Sequence, residues 1–378
     1  MRVRRTNIIR VAILIIFIAA ITFESFQHQV RGGGPDGSPS IHALCPYGGL
    51  ESLYSLFTSG SAIDKIYAGT ISLFIISVIL ALVLRRGFCG WICPFGGLQE
   101  LFGMLGKKVL KKRLVMPLLA DKYLRYLKYL VLVLTAVMAW ATASLWVSPY
   151  DPWAAYGHLS EGLSSVWSEF TVGVILLAVT FIGSFFYDRF FCKYLCPMGA
   201  FLGILGKMGL VKIARDPETC IDCNLCTKVC PVNIDVAKVD YVRSAECINC
   251  QQCVESCPKK GALENRVRFV SGFTPKPLLI GAVVLVIYFG GFGISALAGS
   301  SNLVPAPVSE DTQTITDPDQ LKGYMTLEDI ATVMGKSLDE VYKAMGVPEH
   351  TPKDVPVKEL GDIVPGFDFH ASKEGLRQ

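Results

Sequence analysis

Five stretches of the chain are apolar over the length that a helix needs to cross a bilayer. About 20 residues suffice, because each adds roughly 1.5 Å along the helix axis. The stretches are residues 8–23, 66–84, 129–146, 171–186 and 277–297. Arginines precede the first stretch and no small-x-small cleavage site follows it, so we expect a retained anchor rather than a signal peptide. The pattern predicts a mostly α fold, namely a five-span transmembrane helical protein.

The positions of lysine and arginine between these stretches predict the orientation. The loop 85–128 carries ten of them, whereas the loop 147–169 carries none. Because basic residues concentrate in cytoplasmic loops, the N-terminus and the segment after the fourth stretch are predicted to be cytoplasmic, and the tail 300–378 to lie outside. We expect a multi-pass protein of the cytoplasmic (inner) membrane of a prokaryote.

Composition agrees with a membrane protein and adds a charge asymmetry. Of the 378 residues, 51% are hydrophobic and 18% are charged, and the mean hydropathy is +0.43. Soluble domains carry about a quarter charged residues, and a disordered chain is excluded by the same hydrophobicity. The tail holds 14 acidic and 7 basic residues, so the rest of the chain carries +11. That basic part could bind anionic membrane lipid, or an acidic cytoplasmic electron donor or acceptor.

Eight of the thirteen cysteines form two runs of identical spacing, CIDCNLCTKVCP and CINCQQCVESCP. This C-x2-C-x2-C-x3-C-P spacing is the one by which bacterial-type ferredoxins hold [4Fe-4S] clusters, the fourth cysteine of each run ligating the other cluster. Pro231 and Pro258 stop a helix from continuing over the cluster. Zinc is the alternative, but it needs only four ligands and leaves two identical runs unexplained. The predicted ligands are Cys220, Cys223, Cys226 and Cys257 for the first cluster, and Cys230, Cys247, Cys250 and Cys253 for the second.

An internal repeat carries four more cysteines. RGFCGWICPFGGLQELFG, from Arg86, aligns with RFFCKYLCPMGAFLGILG, from Arg189, at a constant offset of 103 residues. Each copy follows a span that enters the cytoplasm, so the two pairs should share one membrane depth, and an i, i+4 pair on a helix shares one face. The pairs could converge on a further Fe-S cluster at the membrane surface. Buried packing residues or two redox dithiols are the alternatives. The residues are Cys89, Cys93, Cys192 and Cys196.

A fainter third copy, CPYGGLESLYSLF from Cys45, precedes the second stretch and has Ile41 in place of the first cysteine. His42, three residues before Cys45, could face the same side of a helix. The predicted topology puts both outside, as lone metal ligands or as part of a site for a quinone headgroup or a partner cofactor. A decayed repeat kept for packing is the alternative. His28 and His158, near the same interface, could take protons from a quinol or be ordinary interfacial residues.

Motifs for other cofactors are absent from the sequence. It contains no C-x-x-C-H haem attachment site, no G-x-G-x-x-G that opens a helix, and no Walker A phosphate loop. We assign no residue as a general acid or base, because the predicted chemistry belongs to the clusters.

The acidic tail is predicted to end in a small helical module. TLEDIATVMG and SLDEVYKAMGVP indicate two short amphipathic helices, with Ser337 and Glu340 as a capping box and Gly335 and Gly346 as C-terminal stops. A third turn is expected after Thr351. The negative charge and the predicted outer location oppose DNA binding. We therefore expect no nucleic acid, but a surface that could hold an extracytoplasmic partner.

These elements predict five regions along the chain. They are an N-terminal anchor with its outer loop (1–65), a membrane core with two C-x3-C-P repeats (66–210), a small α+β 2[4Fe-4S] ferredoxin domain (211–265), a fifth transmembrane helix (266–299), and an acidic linker followed by the helical module (300–378).

Two C-x3-C-P motifs after membrane spans, together with a double-cluster ferredoxin, resemble the membrane polyferredoxins of the NapH and NosR type. The resemblance covers residues 66–258 and implies an electron-transfer component that links the quinone pool to partner redox enzymes. The fifth span and the acidic tail depart from the NapH type. We expect an electron-transfer subunit of a quinone-linked oxidoreductase, bound to other subunits of a redox complex. A membrane redox sensor, an assembly factor and a structural anchor are the alternatives.

Overall fold

The computed structural model describes residues 5–59, 63, 66–270, 272–305, 318 and 321–377. The chain forms two units, Met1–Gln29 with Pro39–Leu303, and Val30–Ser38 with Val304–Gln378. Residues 30–38, which we expected in the N-terminal region, therefore belong with the tail. Residues 306–317 and 319–320 of the predicted linker lie outside the described part of the chain.

The first unit is mostly helical. Up to the ferredoxin cysteines its helices are α1 (Arg5–Arg31), α2 (Tyr47–Glu51), α3 (Leu53–Ser59), α4 (Ala68–Leu84), α5 (Gly87–Trp91), α6 (Pro94–Leu110), α7 (Leu118–Thr142), α8 (Pro152–Gly157), α9 (Leu163–Glu169), α10 (Thr171–Phe186), α11 (Phe190–Tyr194) and α12 (Pro197–Gly206). It continues with β1 (Val211–Arg215), α13 (Leu225–Lys228), α14 (Gln252–Ser256), β2 (Leu263–Val267) and α15 (Pro277–Leu297).

Each predicted apolar stretch falls on one long helix, α1, α4, α7, α10 or α15. Helices α1, α7 and α15 are long and apolar enough to cross a membrane, whereas α4 and α10, with 17 and 16 residues, are shorter. Large apolar side chains point outward from these helices, among them Ile16, Leu130, Ile182 and Val286, which are 61–71% exposed. An outward apolar surface of this kind matches lipid tails rather than water.

The predicted bounds of the third span are wrong. Helix α7 begins at Leu118 and ends at Thr142 instead of covering 129–146. Its charged first half is helical because Arg125 pairs with Asp121 one turn earlier, and because Lys128 is buried against Glu246. The helix ends where Ala143 adopts a left-handed backbone with φ 49°.

Helices α1, α4, α7 and α15 each have one end near the ferredoxin region, residues 211–267. At the start of α1, the backbone N–H of Thr6 donates to the Glu255 carboxylate at 2.8 Å. At the end of α4, the carbonyl of Leu84 accepts from the Asn249 amide at 2.9 Å. Because α1 meets the ferredoxin region at its start and α4 meets it at its end, the chain runs away from that region in α1 and back toward it in α4.

The starts of α7 and α15 also lie near the ferredoxin region. Arg125, in the first half of α7, donates to the carbonyl of Val232 at 3.0 Å. Asn265, in β2, donates to the carbonyl of Pro275 at 2.9 Å, two residues before α15 begins. Of the five helices that carry the predicted stretches, α1, α7 and α15 therefore meet the ferredoxin region near their starts, and α4 meets it at its end.

The ferredoxin region is a small α+β domain. Strand β1 pairs antiparallel with β2, from Val211 opposite Val267 to Arg215 opposite Leu263. Helices α13 and α14 each end before a Cys-Pro pair, as the two prolines predict. Its core joins that of the long helices, because buried residues of both regions, such as Ile213 and Leu80, belong to one hydrophobic cluster.

The second unit contains the predicted helical module, α16 (Leu327–Met334), α17 (Leu338–Met345), α18 (Leu360–Ile363) and α19 (Phe369–Ser372). The capping box is confirmed, since the Ser337 hydroxyl accepts from the Glu340 N–H and the Glu340 carboxylate accepts from the Ser337 N–H. The glycine stops are confirmed as well, because Gly335 and Gly346 adopt φ values of 62° and 68°. Leu327, Ile330 and Val341 are among the side chains that form a separate core.

Candidate iron-sulfur sites

A cavity of about 380 Å³ lies between the two cysteine runs, and four cysteines line it. They are the four predicted for the first cluster, Cys220, Cys223, Cys226 and Cys257. Cys223 is exposed and the other three are partly buried. This first ferredoxin site therefore opens toward the surface of the ferredoxin region.

The second ferredoxin site is a cavity of about 330 Å³ with a more apolar wall. Buried aliphatic residues such as Val232, Ile234 and Val242 surround it. The cysteines that line it are the other predicted set, Cys230, Cys247, Cys250 and Cys253. Three of these four are buried, so the second site lies deeper than the first.

The same backbone geometry shapes both cysteine runs. The residues before and after the second cysteine have positive φ in each run, Asp222 and Asn224 in one and Asn249 and Gln251 in the other. Asn and Asp tolerate this left-handed region better than most residues. The sharp turns let consecutive cysteines line a single cavity. Within the described residues, no three His, Cys, Asp or Glu side chains are arranged to hold a single metal ion.

The cysteine pairs of the internal repeat do not lie on continuous helices, contrary to our expectation. Helix α5 ends at Trp91, and Cys93 is the N-cap of α6, where its Sγ accepts from the Gly96 N–H at 3.4 Å. In the second copy Cys196 caps α12 in the same way, accepting from Gly199 at 3.2 Å. The break has a local cause, since a proline follows each of these cysteines and disfavours helical backbone before it.

The four repeat cysteines nevertheless come together. Burial raises the pKa of the Cys196 thiol well above its ordinary range, and the nearby thiols of Cys192, Cys89 and Cys93 raise that pKa further. Cys89 and Cys192 are buried, and Cys93 and Cys196 are partly buried. We call this group the repeat site. Two helix N-termini, those of α6 and α12, point their backbone N–H groups toward it, which favours negative charge there.

Two buried arginines connect the copies of the repeat crosswise. Arg86, in the first copy, donates to the carbonyl of Cys192 at 3.3 Å, and Arg189, in the second, donates to the carbonyl of Cys89 at 2.6 Å. The corresponding glycines make room for them, because a Cβ at Gly96 would lie 2.9 Å from Arg189 and one at Gly199 2.6 Å from Arg86. The two copies of the sequence repeat therefore make equivalent, reciprocal contacts in the structure.

Buried carboxylates balance these arginines only in part. Glu100 pairs with both Arg10 and Arg189. Glu246, from the ferredoxin region, pairs with both Arg86 and Lys128. Four buried cations thus share two carboxylates. The two surplus positive charges suit a group whose four thiolate ligands leave it negatively charged.

The repeat site and the second ferredoxin site are in backbone contact. A Cβ at Gly90, between Cys89 and Cys93, would overlap the carbonyl oxygen of Ile248, which lies between Cys247 and Cys250. The indole N–H of the next residue, Trp91, donates to the carbonyl of Asn249 at 3.0 Å.

Comparison with known families matches these regions to iron-sulfur domains. A 4Fe-4S binding domain matches twice, at residues 68–113 and 170–215, and each match contains one copy of the repeat. A 4Fe-4S dicluster domain matches residues 212–262. The putative electron transport protein YccM of Escherichia coli (strain K12) is 33% identical over 311 residues, which are 77% of this chain and 80% of YccM.

Two further relatives cover less of the chain. The ferredoxin-type protein NapH of Escherichia coli (strain K12) is 28% identical over 42% of this chain and 51% of NapH. The regulatory protein NosR of Pseudomonas aeruginosa is 30% identical over 39% of this chain and 20% of NosR. No solved structure matches.

The chain belongs to the NapH/NosR-type membrane polyferredoxins. The resemblance in the cysteine motifs is thereby confirmed, and the polyferredoxin is an iron-sulfur protein of electron transport.

The third, fainter cysteine copy lies close to the repeat site. Residues 41–44 form a turn rather than a helix, so the expected shared helix face of His42 and Cys45 is wrong. The His42 ring instead bonds the Ser148 hydroxyl at 2.9 Å. Burial raises the pKa of the Cys45 thiol, and the charges of Asp151 and Cys196 raise it further. Cys45 is therefore a neighbour of the repeat site in this polyferredoxin.

Two buried carboxyl groups accompany Cys45. Burial raises the pKa of Glu51 to about 8, with Asp151 adding to the effect, and burial raises the pKa of Asp151 to about 6. Glu51 is 3% exposed, and among the described residues its Oε1 has no hydrogen-bond partner. His158, which we predicted as a residue that could take protons from a quinol, forms a hydrogen bond between its Nδ1 and the carbonyl of Ala154 at 2.9 Å.

Our sequence analysis missed the charged residues that surround the repeat site. Arg10 and Glu100 each interrupt an otherwise apolar stretch, and such residues in a membrane protein mark functional positions. Arg86 and Arg189 begin the two copies of the repeat and could have been singled out on that ground. Glu246 gave no signal, because its partners are far away along the chain.

Proposed function

We propose that this polyferredoxin moves single electrons between a cytoplasmic redox partner and the quinone pool, or an extracytoplasmic partner, through three iron-sulfur centres. The observation that carries the proposal is the contact of Gly90 with Ile248, because it brings the repeat site against the second ferredoxin site. When bound, each cluster takes up or releases one electron.

The cysteines that would hold the groups form three sets. In the ferredoxin region, two cavities each lined by four thiols fit two [4Fe-4S] clusters. At the repeat site, four thiols, two helix N-termini and a surplus of buried cations fit a third cluster held by thiolates. We propose Cys89, Cys93, Cys192 and Cys196 as its ligands, and leave Cys45 and His42 out of that set.

The three sites differ in how deeply they are buried, and this difference suggests their order along the electron route. The first ferredoxin site includes an exposed cysteine, so a cytoplasmic partner can approach it most closely. The second is buried and touches the repeat site. Cys45 lies near Cys196 of the repeat site, and the carboxyl groups of Asp151 and Glu51 lie near Cys45. A quinone or an outer partner would exchange electrons at that end, where protonatable groups are also available.

The contacts support five alternating spans with the ferredoxin region in the cytoplasm. The start of α1, the end of α4 and the starts of α7 and α15 all meet the ferredoxin region. We keep the C-terminal tail outside the inner membrane in this proposal, on the charge bias of the loops.

Reconstitution tests the proposal. Liposomes that contain the protein and a menaquinone analogue should re-oxidise clusters reduced by a donor on the ferredoxin side, at a rate comparable to respiratory turnover. The Cys89→Ser, Cys192→Ser variant should slow this re-oxidation strongly while its two ferredoxin clusters still become reduced. If the unaltered protein is re-oxidised far more slowly than respiratory turnover, the quinone route of the proposal is contradicted.

A further inference from the structure

A basic groove lies on the ferredoxin region, away from all three cysteine sites. It is an open cavity of about 1580 Å³. Four cations line it, Lys212, Arg243, Arg266 and Arg268, with Glu264 as the carboxylate among its lining residues. Three aromatic side chains also line it, those of Tyr241, Phe269 and Phe273.

The cations of this groove repel one another. Lys212 and Arg266 are directly opposite in the β1–β2 pair, and like charges in that position destabilise a sheet. Partial burial lowers the pKa of Lys212, and Arg268 and Arg243 lower it further. Among the described residues none of the four cations forms an ion pair, although the charge of Arg266 helps to lower the pKa of Asp216. An anion in the groove would relieve this repulsion.

The groove sits at the end of the membrane-spanning helices. The backbone N–H of Leu210 donates to the carbonyl of Leu82, in the last turn of α4, and the N–H of Arg268 donates to the carbonyl of Leu210. Helix α15 begins at Pro277, four residues after Phe273. This position is the level at which lipid headgroups meet the hydrocarbon of the bilayer.

An apolar rim connects the groove with the surface of α15. Phe269 is 77% exposed, and Val270 and Phe273 are about half exposed. Leu278 and Leu279, in the first turn of α15, are partly exposed as well. Cations beside exposed aromatic residues, next to the start of a span, match a ligand that has an anionic head and an apolar tail.

We propose that this groove binds an anionic phospholipid, with the phosphate among Lys212, Arg243, Arg266 and Arg268 and the acyl chains against Phe269 and Phe273. The apolar rim favours a lipid over an acidic protein, whose surface would bring no hydrocarbon to Phe269. The site fixes the ferredoxin region against the membrane and is independent of the route of the electrons.

Native mass spectrometry of the full-length, cluster-loaded protein in detergent tests the proposal. Phosphatidylglycerol should bind at least about tenfold more tightly than phosphatidylcholine. Each basic residue near an anionic headgroup increases the affinity roughly fivefold. The Lys212→Gln, Arg266→Gln, Arg268→Gln variant should lose most of this preference. Its cluster absorption should equal that of the unaltered protein, which shows that it folds.

Three controls define the result. A matched variant, Lys238→Gln, Lys259→Gln, Lys260→Gln, removes the same charge from exposed positions of the ferredoxin region outside the groove and should keep the preference. The Phe269→Ser, Phe273→Ser variant should bind both lipids more weakly but keep the preference for phosphatidylglycerol. Inorganic phosphate at the lipid concentration should not displace phosphatidylglycerol.

Several outcomes would overturn the proposal. These are equal binding of the two lipids, an unchanged preference in the groove variant, or an equal loss in the matched control. Full displacement by inorganic phosphate would assign the groove to free phosphate. Displacement of the lipid by an acidic redox protein, with no effect of the two phenylalanine substitutions, would assign it to a protein partner.

Discussion

At the scale of single residues, buried charges distinguish the repeat site from a group of packed cysteines. Arg86 and Arg189 each donate to the backbone carbonyl of a cysteine in the opposite copy, and both are nearly inaccessible to solvent. Burying a charge is costly unless partners compensate it. Two surplus cations beside four thiols are therefore strong support for a negatively charged group at this position.

Removal of one of these cations should make the repeat centre harder to reduce. In Arg86→Gln, Lys128 still pairs with Glu246, but one positive charge near the centre is lost. The added electron is then less stabilised, so the midpoint potential should fall by roughly 50–100 mV, which is about 1–2 kcal/mol for one electron. Redox titration followed by EPR measures this shift. The exposed Lys238→Gln should leave the potential unchanged, and an equal potential in Arg86→Gln would contradict the assignment.

Glu51 predicts a pH dependence of stability with a defined sign. Its pKa in the folded protein, about 8, lies above the ordinary value of 4.5, so the folded state holds the proton more tightly. The contribution of this group to the free energy of unfolding is therefore highest at low pH, and it falls between about pH 4.5 and 8 by at most about 1.4 kcal/mol per pH unit.

The Glu51→Gln variant should therefore melt at a higher temperature than the unaltered protein at pH 8.5 and at nearly the same temperature at pH 4.5. Thermal melting in detergent at the two pH values measures the effect. Glu161→Gln, at an exposed position, is the matched control and should not alter the pH dependence. A Glu51→Gln variant that is less stable at pH 8.5 would show that the carboxylate is needed in its charged form.

At the scale of elements, local sequence explains the turns but not the docking. The prolines after Cys93 and Cys196 explain why the helices are interrupted there, although our prediction placed each cysteine pair on one helix face. The local sequence could not predict that the two copies of the repeat exchange arginine contacts, because these contacts join residues about 100 positions apart. The charged first half of α7 was missed for a similar reason, since Glu246 lies 118 positions from Lys128.

The contact of Gly90 with Ile248 predicts an effect on electron transfer. In Gly90→Ala the added methyl group would overlap the Ile248 carbonyl, so the repeat loop and the ferredoxin loop must separate. Quinone-dependent re-oxidation in liposomes should slow several-fold, while the iron content stays the same. Gly293→Ala, where a Cβ meets nothing within 4 Å, is the matched control. An unchanged rate in Gly90→Ala would exclude this contact as the junction between the centres.

At the scale of the whole molecule, the apolar pattern located five apolar helices in their order along the chain, three of which are long and apolar enough to cross a membrane. The stretches 171–186 and 277–297 coincide with α10 and α15. Hydropathy could not show that residues 30–38 join the C-terminal module, because that association depends on tertiary contacts. The ferredoxin region was predictable from spacing, whereas its attachment through Glu246, Asn249 and Glu255 depends on the folded arrangement of the first unit.

The most direct test of the three-centre account is the iron content of a variant that lacks only the repeat cysteines. Cys89, Cys93, Cys192 and Cys196 are replaced together by serine, and iron and sulfide are measured per chain alongside EPR of the reduced protein. The account predicts that the unaltered protein holds more than the roughly eight irons of two [4Fe-4S] clusters. The variant should fall to about eight and keep the ferredoxin signals. Equal iron content and equal spectra in the two proteins would contradict the account.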